Sequence, residues 1–139
     1  MQLPDDYPDL LTDEVAPFGL EFDAVTPDED GDVSLTFDAE PESFVRAYPG
    51  LGIEESYGDA WPPAALELCL RFDPHGDPFQ ITFEVFDLLA WAASADPELH
   101  SRLNTMADPS DHAAAVGETL GRMLEDERPR IDDYLDYSG

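Results

Sequence analysis

From Leu66 to Phe86 the chain reads LELCLRFDPHGDPFQITFEVF, and its apolar residues alternate with polar ones. Side chains along a strand point to opposite faces in turn, so Leu66, Leu68, Leu70 and Phe72 share one face, as do Phe79, Ile81, Phe83 and Val85. Folding the segment about Pro74-His75-Gly76-Asp77 pairs Phe72 with Phe79, Leu70 with Ile81, Leu68 with Phe83 and Leu66 with Val85. A slip of one residue would set every apolar side chain against a polar one, so a single register is strongly specified. The segment predicts a β-hairpin with one buried face.

A second hairpin is predicted upstream. Phe18, Leu20, Phe22 and Ala24 alternate inward against Glu21 and Asp23, and Val33, Leu35 and Phe37 alternate against Asp32, Ser34, Thr36 and Asp38. Between them, Pro27-Asp28-Glu29-Asp30-Gly31 ends in Asp-Gly, a hairpin signal because glycine accepts positive φ. The expected fold class is α+β, in one domain over residues 1–139. It has a four-stranded antiparallel sheet made of two β-hairpins, with helices on the apolar face and a helical C-terminal third.

Helix signals surround the hairpins. Residues 4–16 carry Tyr7, Leu10, Leu11 and Val15 near helical spacing, with Pro17 as a stop, and Pro41 to Tyr48 starts on a proline suited to a first turn. Pro49 to Pro63 has no clear period, holds Tyr57 and Trp61 and is longer than most connections, a mark of functional or mobile loops. Asp87 caps an apolar run, Leu88 to Ala95; Asp96-Pro97-Glu98 and Asp108-Pro109-Ser110-Asp111 are further helix starts. Leu99, Leu103 and Met106 form one inner stripe; Ala113, Val116, Leu120 and Leu124 form another, where Gly117 and Gly121 allow close approach. Pro129 ends the last long helix, and Ile131, Tyr134 and Leu135 predict a final short turn.

Charge sets the milieu. There are 33 acids against six bases; the bases are all arginine, and the formal net charge is −27. Self-repulsion of this size opposes a compact state in dilute buffer, and molar salt screens it. The acids are spread along the chain among apolar residues that make up 42% with Cys and Tyr counted. This resembles the cytoplasmic proteome of salt-in haloarchaea, and a halophilic cytoplasmic protein is expected. With no basic stripe to displace counterions, direct binding to a nucleic-acid backbone is not expected. The longest uncharged run is far below a membrane span, and the N-terminus lacks a basic leader region, so no membrane role is expected.

Chemical motifs are sparse. Setting Gly31 as the sixth position of a calcium loop puts Thr26 first and Phe37 twelfth, where acids are needed. His75 lies between Asp73 and Asp77 at a hairpin tip, and His100 and His112 are too widely spaced for a zinc motif, so neither metal nor cofactor is expected. Cys69 faces the wet side opposite Thr82, roughly 20 Å along the strand from His75, without the base that a catalytic thiol needs. No residue is assigned as catalytic.

Two classes of function are carried forward. The alternation of helices and hairpins in a small acidic chain is similar to secretion-chaperone-like α+β domains, and the resemblance implies protein binding by a dimer. The first expectation is therefore a non-enzymatic protein-binding or chaperone-like module, binding a protein partner or itself. Its aromatic anchors are Tyr48, Tyr57, Trp61 and Trp91. The alternative is a small enzyme or ligand-binding domain with a cleft between sheet and C-terminal helices, where Arg71, His75 and His100 are the first suspects. An acidic nucleic-acid mimic is a further alternative; it would require carboxylates grouped on one face.

Overall fold

The computed structural model describes residues 4–48, 53–75, 77–84, 86–105 and 107–125, with backbone only at 55 and 56. The elements run α1 (Tyr7–Val15), a 3-10 turn (Ala16–Phe18), β1 (Glu21–Pro27), β2 (Val33–Ala39), α2 (Pro41–Ala47) and α3 (Ile53–Tyr57). There follow β3 (Leu66–Phe72), β4 (Pro78–Phe83), β5 (Phe86–Asp87), α4 (Leu88–Ala95), α5 (Pro97–Leu103) and α6 (Pro109–Glu125). The expected places of Val85, Met106, Pro129, Ile131, Tyr134 and Leu135 lie outside the described residues, as do Gly76 and residues 49–52.

The fold is α+β, and among the described residues its sheet has five antiparallel strands in the order β1-β2-β3-β4-β5 rather than the four expected. The added strand is the two-residue β5, where Phe86 pairs with Phe83 and Asp87 with Thr82 before Asp87 caps α4. A strand that short carries no alternation to read. Leu68 pairs with Phe83, Cys69 with Thr82 and Leu70 with Ile81, as the hairpin pattern predicts. At the tip the register shifts: Phe72 pairs with Pro78, not Phe79. Pro78 takes the buried place, and the extra residue, Phe79, turns to the open face, where it is 44% exposed with the Arg71 guanidinium 5.2 Å from its ring.

Helix boundaries follow their caps. The carboxylates of Asp87 and Asp96 accept from Ala90 N at 3.1 Å and Leu99 N at 3.2 Å, and that of Asp108 accepts from the amides of Ser110 and Asp111. The stretch around Tyr57 is more ordered than its lack of period implies: Ile53 is buried and starts α3.

The core lies between the sheet and the helices. Leu35, Phe37, Leu66, Leu68, Leu70, Phe72, Ile81 and Phe83 supply the sheet side; Tyr7, Leu11, Val15, Leu99, Leu103, Val116 and Leu120 face them from helices. Burying each of the large ones contributes about 1.5–3 kcal/mol. α1 packs along α6, where Gly117 admits the Glu14 backbone and Gly121 admits the Phe18 ring. The two hairpin tips also meet, Gly31 (φ +92°) lying against Pro74.

Candidate functional site

β1 is the outer strand, and its irregular pairing decides what it presents. Phe22 pairs with Phe37 and Val25 with Leu35, so both lie on the core side although they are three residues apart. Asp23 and Ala24 fall opposite Thr36, whose hydroxyl donates to Asp23 Oδ2 at 3.2 Å and lies 3.4 Å from Ala24 O. The extra residue corrects the simple alternation: Ala24 leaves the inner face and Val25 takes it. The described helices cover this strip only in part. Phe22 is 45% and Val25 43% exposed, contrary to the inward burial expected of Phe22, whose ring instead leans edge-on against Phe37 at 5.7 Å.

A cleft lies at each end of β2, the strand that pairs with β1. At the Ala39 end, a cleft of about 230 Å³ is walled by Pro17, Phe18, Ala39, Phe44 and Tyr48, and includes Glu40. Beyond Val25, a cleft of about 440 Å³ is walled by Pro8, Val25, Val33 and Pro74, and includes Asp5 and Asp73. Backbone amides fix a carboxylate in each. Glu40 Oε2 accepts from Ser43 N at 2.5 Å, and Asp73 Oδ1 accepts from His75 N at 2.8 Å and Asp77 N at 3.1 Å. These amide bonds hold both carboxyls below their ordinary pKa, Ser43 acting most on Glu40 and Asp77 most on Asp73. Among the described residues, no arginine lines either cleft.

Three of the four aromatic candidates gather around α2. Tyr48 stacks on Phe44 at 4.9 Å within the first cleft. On the other side of α2, Trp61 lines a cleft of about 320 Å³ with Val45, Arg46, Glu42 and Glu54, and packs on Tyr57 at 5.7 Å. Tyr57 Oη donates to the Glu84 carboxylate, 3.0 Å from each oxygen. Burial first, and Glu84 second, push the Tyr57 hydroxyl up to about 12, and burial also raises Glu84, which sits at φ 54° in the β4–β5 turn. Trp91 stands apart: it is only 4% exposed, with the Arg122 guanidinium 5.6 Å from its ring. Leu88 and Ala92 beside it are fully buried, so the apolar run of α4 packs on the chain itself.

The ligand-site suspects are not brought together. Arg71 lies on the open face and is engaged by Asp28 at 3.4 Å, Asp32 at 3.5 Å and Gln80. His75 is exposed at a hairpin tip, and His100 sits on α5 in the helical layer, across the sheet from Arg71. Cys69 is flanked by Glu67 and Arg71; burial, reinforced by Glu67, raises its thiol pKa, the reverse of nucleophile activation. Asp38 stands directly opposite Glu67, and burial with carboxylate repulsion raises both.

One buried polar pair was not foreseen. Tyr7 Oη meets His112 Nδ1, while His112 Nε2 lies 2.9 Å from Leu103 O, both side chains being almost wholly buried. The available signal was position: His112 begins the stripe that continues through Val116, Leu120 and Met123. Its burial makes it a clamp between α1, α5 and α6 rather than a group that meets a ligand.

Among the described residues, no group of three or more His, Cys, Asp or Glu side chains is placed to hold a metal ion, and no helix is long and apolar enough to cross a membrane. Comparison with family models, with curated proteins and with solved structures finds no match to the chain.

Proposed function

We propose that this chain is a non-enzymatic protein-binding module of a high-salt cytoplasm, and that it recognises its partner through the inner rim of β1. The observation that carries the reading is the exposure of Phe22 and Val25 on the side of the sheet where the neighbouring Leu35 and Phe37 are fully buried. Covering what remains exposed of each would contribute on the order of 1 kcal/mol. The strand's backbone edge is blunted by its bulge, by Glu21 and Asp23 and by Pro27, devices that discourage open-ended strand addition. Recognition therefore falls to side chains, with Tyr48 in the adjoining cleft and Tyr57 and Trp61 on the far side of α2 as a second contact region.

The test is side-by-side affinity capture from a molar-KCl lysate using the wild type and the double variant Phe22→Ser/Val25→Ser. The reading expects a partner held by the wild type and lost by the variant. Equal capture by both, or none by either, contradicts it.

A further inference from the structure

We infer that the occupant of the β1 rim is an amphipathic helix of another protein that carries lysine or arginine at both ends. This rests on the protein-binding reading above and names the partner's chemistry. Among the described residues, helices cover the inner face of the sheet fully except along Phe22 and Val25, which they cover in part, so the element that completes the layer is a further helix laid beside β1. Strand addition is the poorer fit, because the bulge, the acids and Pro27 interrupt the edge.

Charge selects the ends of that helix. The cleft at the Ala39 end of β2 contains Glu40, and the cleft walled by Val25 contains Asp5 and Asp73. Glu40 and Asp73 are each fixed by backbone amides, with no arginine in either lining among the described residues. β2 runs from Val33 in one cleft to Ala39 in the other, roughly 20 Å along the strand, which a helix spans in about 14 residues. The matching helix carries an apolar stripe between two basic ends, its aliphatic stems against Phe18 and Phe44 at one end and Pro8 and Val33 at the other. A second copy of this chain is a poor occupant: it brings a net charge of −27 and no lysine.

The probe is a synthetic alanine-rich helix with a leucine stripe and lysines about 14 residues apart, against a control with glutamates at those places. Anisotropy is read at the lowest KCl concentration that keeps the chain folded and again at about 3 M. The lysine helix should bind at least about tenfold more tightly than the glutamate helix, and Phe22→Ser/Val25→Ser should weaken it by a similar factor. Asp5→Asn/Asp73→Asn should narrow the preference and flatten its salt dependence. Equal binding of the two helices, or binding indifferent to the rim variant, overturns the inference. So does sedimentation of the wild type as a dimer that the rim variant abolishes, which would give the rim to a second copy. If lysate capture depends on the rim while the helices bind alike, the protein-binding reading stands and the basic-helix partner falls. If capture is also indifferent to the rim, both fall.

Discussion

The hydroxyl of Tyr7 and Nδ1 of His112 lie 2.5 Å apart in the core, joining positions 105 residues apart in the chain. Leu103 O can only accept, so Nε2 of His112 carries the proton and Nδ1 accepts from Tyr7. Burial holds the imidazole neutral and lowers its pKa from 6.5 to about 4, and it pushes the Tyr7 hydroxyl upward. The unfolded chain therefore binds the His112 proton more readily. This contribution to stability is complete above pH 6.5 and is lost as pH falls toward 4, a change of about 3 kcal/mol. An NMR titration of the His112 ring should give a midpoint near 4; a midpoint at the ordinary value would contradict the clamp. Tyr7→Phe leaves Nδ1 without its donor and should destabilise by about 1–3 kcal/mol in denaturant melts.

The two glycines of α6 should respond differently to alanine. A Cβ on Gly117 would come within 3.1 Å of both Cβ and backbone O of Glu14, which cannot yield without moving α1. Gly117→Ala should destabilise by about 1–2 kcal/mol despite the better helix propensity of alanine. At Gly121 the nearest atom is Cζ of the partly buried Phe18 ring, also at 3.1 Å, which has room to tilt. Gly121→Ala should be neutral or stabilising by up to about 1 kcal/mol. Equal losses at both positions would contradict the packing described.

Asp38 and Glu67 repel each other across β2 and β3, with both carboxyls raised first by burial. Their repulsion is absent when both are protonated and grows as pH rises through the carboxylate range. Glu67→Gln should raise stability at neutral pH by about 0.5 kcal/mol at the lowest salt where the chain folds, and by less in molar KCl. On the scale of the whole chain, the net charge of −27 predicts loss of the folded circular-dichroism signal on dilution from molar KCl. A full folded signal in dilute buffer would contradict the high-salt milieu.

Much of the fold was legible in the sequence because local rules and burial agree there. The central register of β3 and β4 follows from alternation, and α4 and α5 begin where Asp87 and Asp96 can cap them. The misreadings of which face a residue takes share a cause: one extra residue. A bulge breaks period two, so Phe79 turned to the open face, Ala24 left the inner face and Val25 entered it, whereas Phe22 kept its face and is exposed because the cover of β1 is incomplete. The β1 rim was illegible because it depends both on that bulge and on where the helices stop, which no local pattern carries. Tyr48, Tyr57 and Trp61 were recognisable as aromatics in an irregular stretch, but their gathering around α2 depends on tertiary packing. The pairing that lets His112 be buried carries no local signal, because the hydroxyl that partners it belongs to Tyr7, 105 residues away in the chain.

Phe22→Ser/Val25→Ser should lose on the order of 2 kcal/mol, since each side chain is a little over half buried, yet stay folded in molar KCl. Its binding is read where its circular-dichroism signal matches the wild type, so that any loss of binding is not a loss of fold. The measurement that bears most directly on the rim is amide hydrogen exchange of the full chain, alone and with the protein it captures, in molar KCl. Residues 21–27 should gain protection, together with the walls of the adjoining clefts. Protection confined to residues 53–61 or to the open face, with 21–27 unchanged, would contradict recognition through the β1 rim.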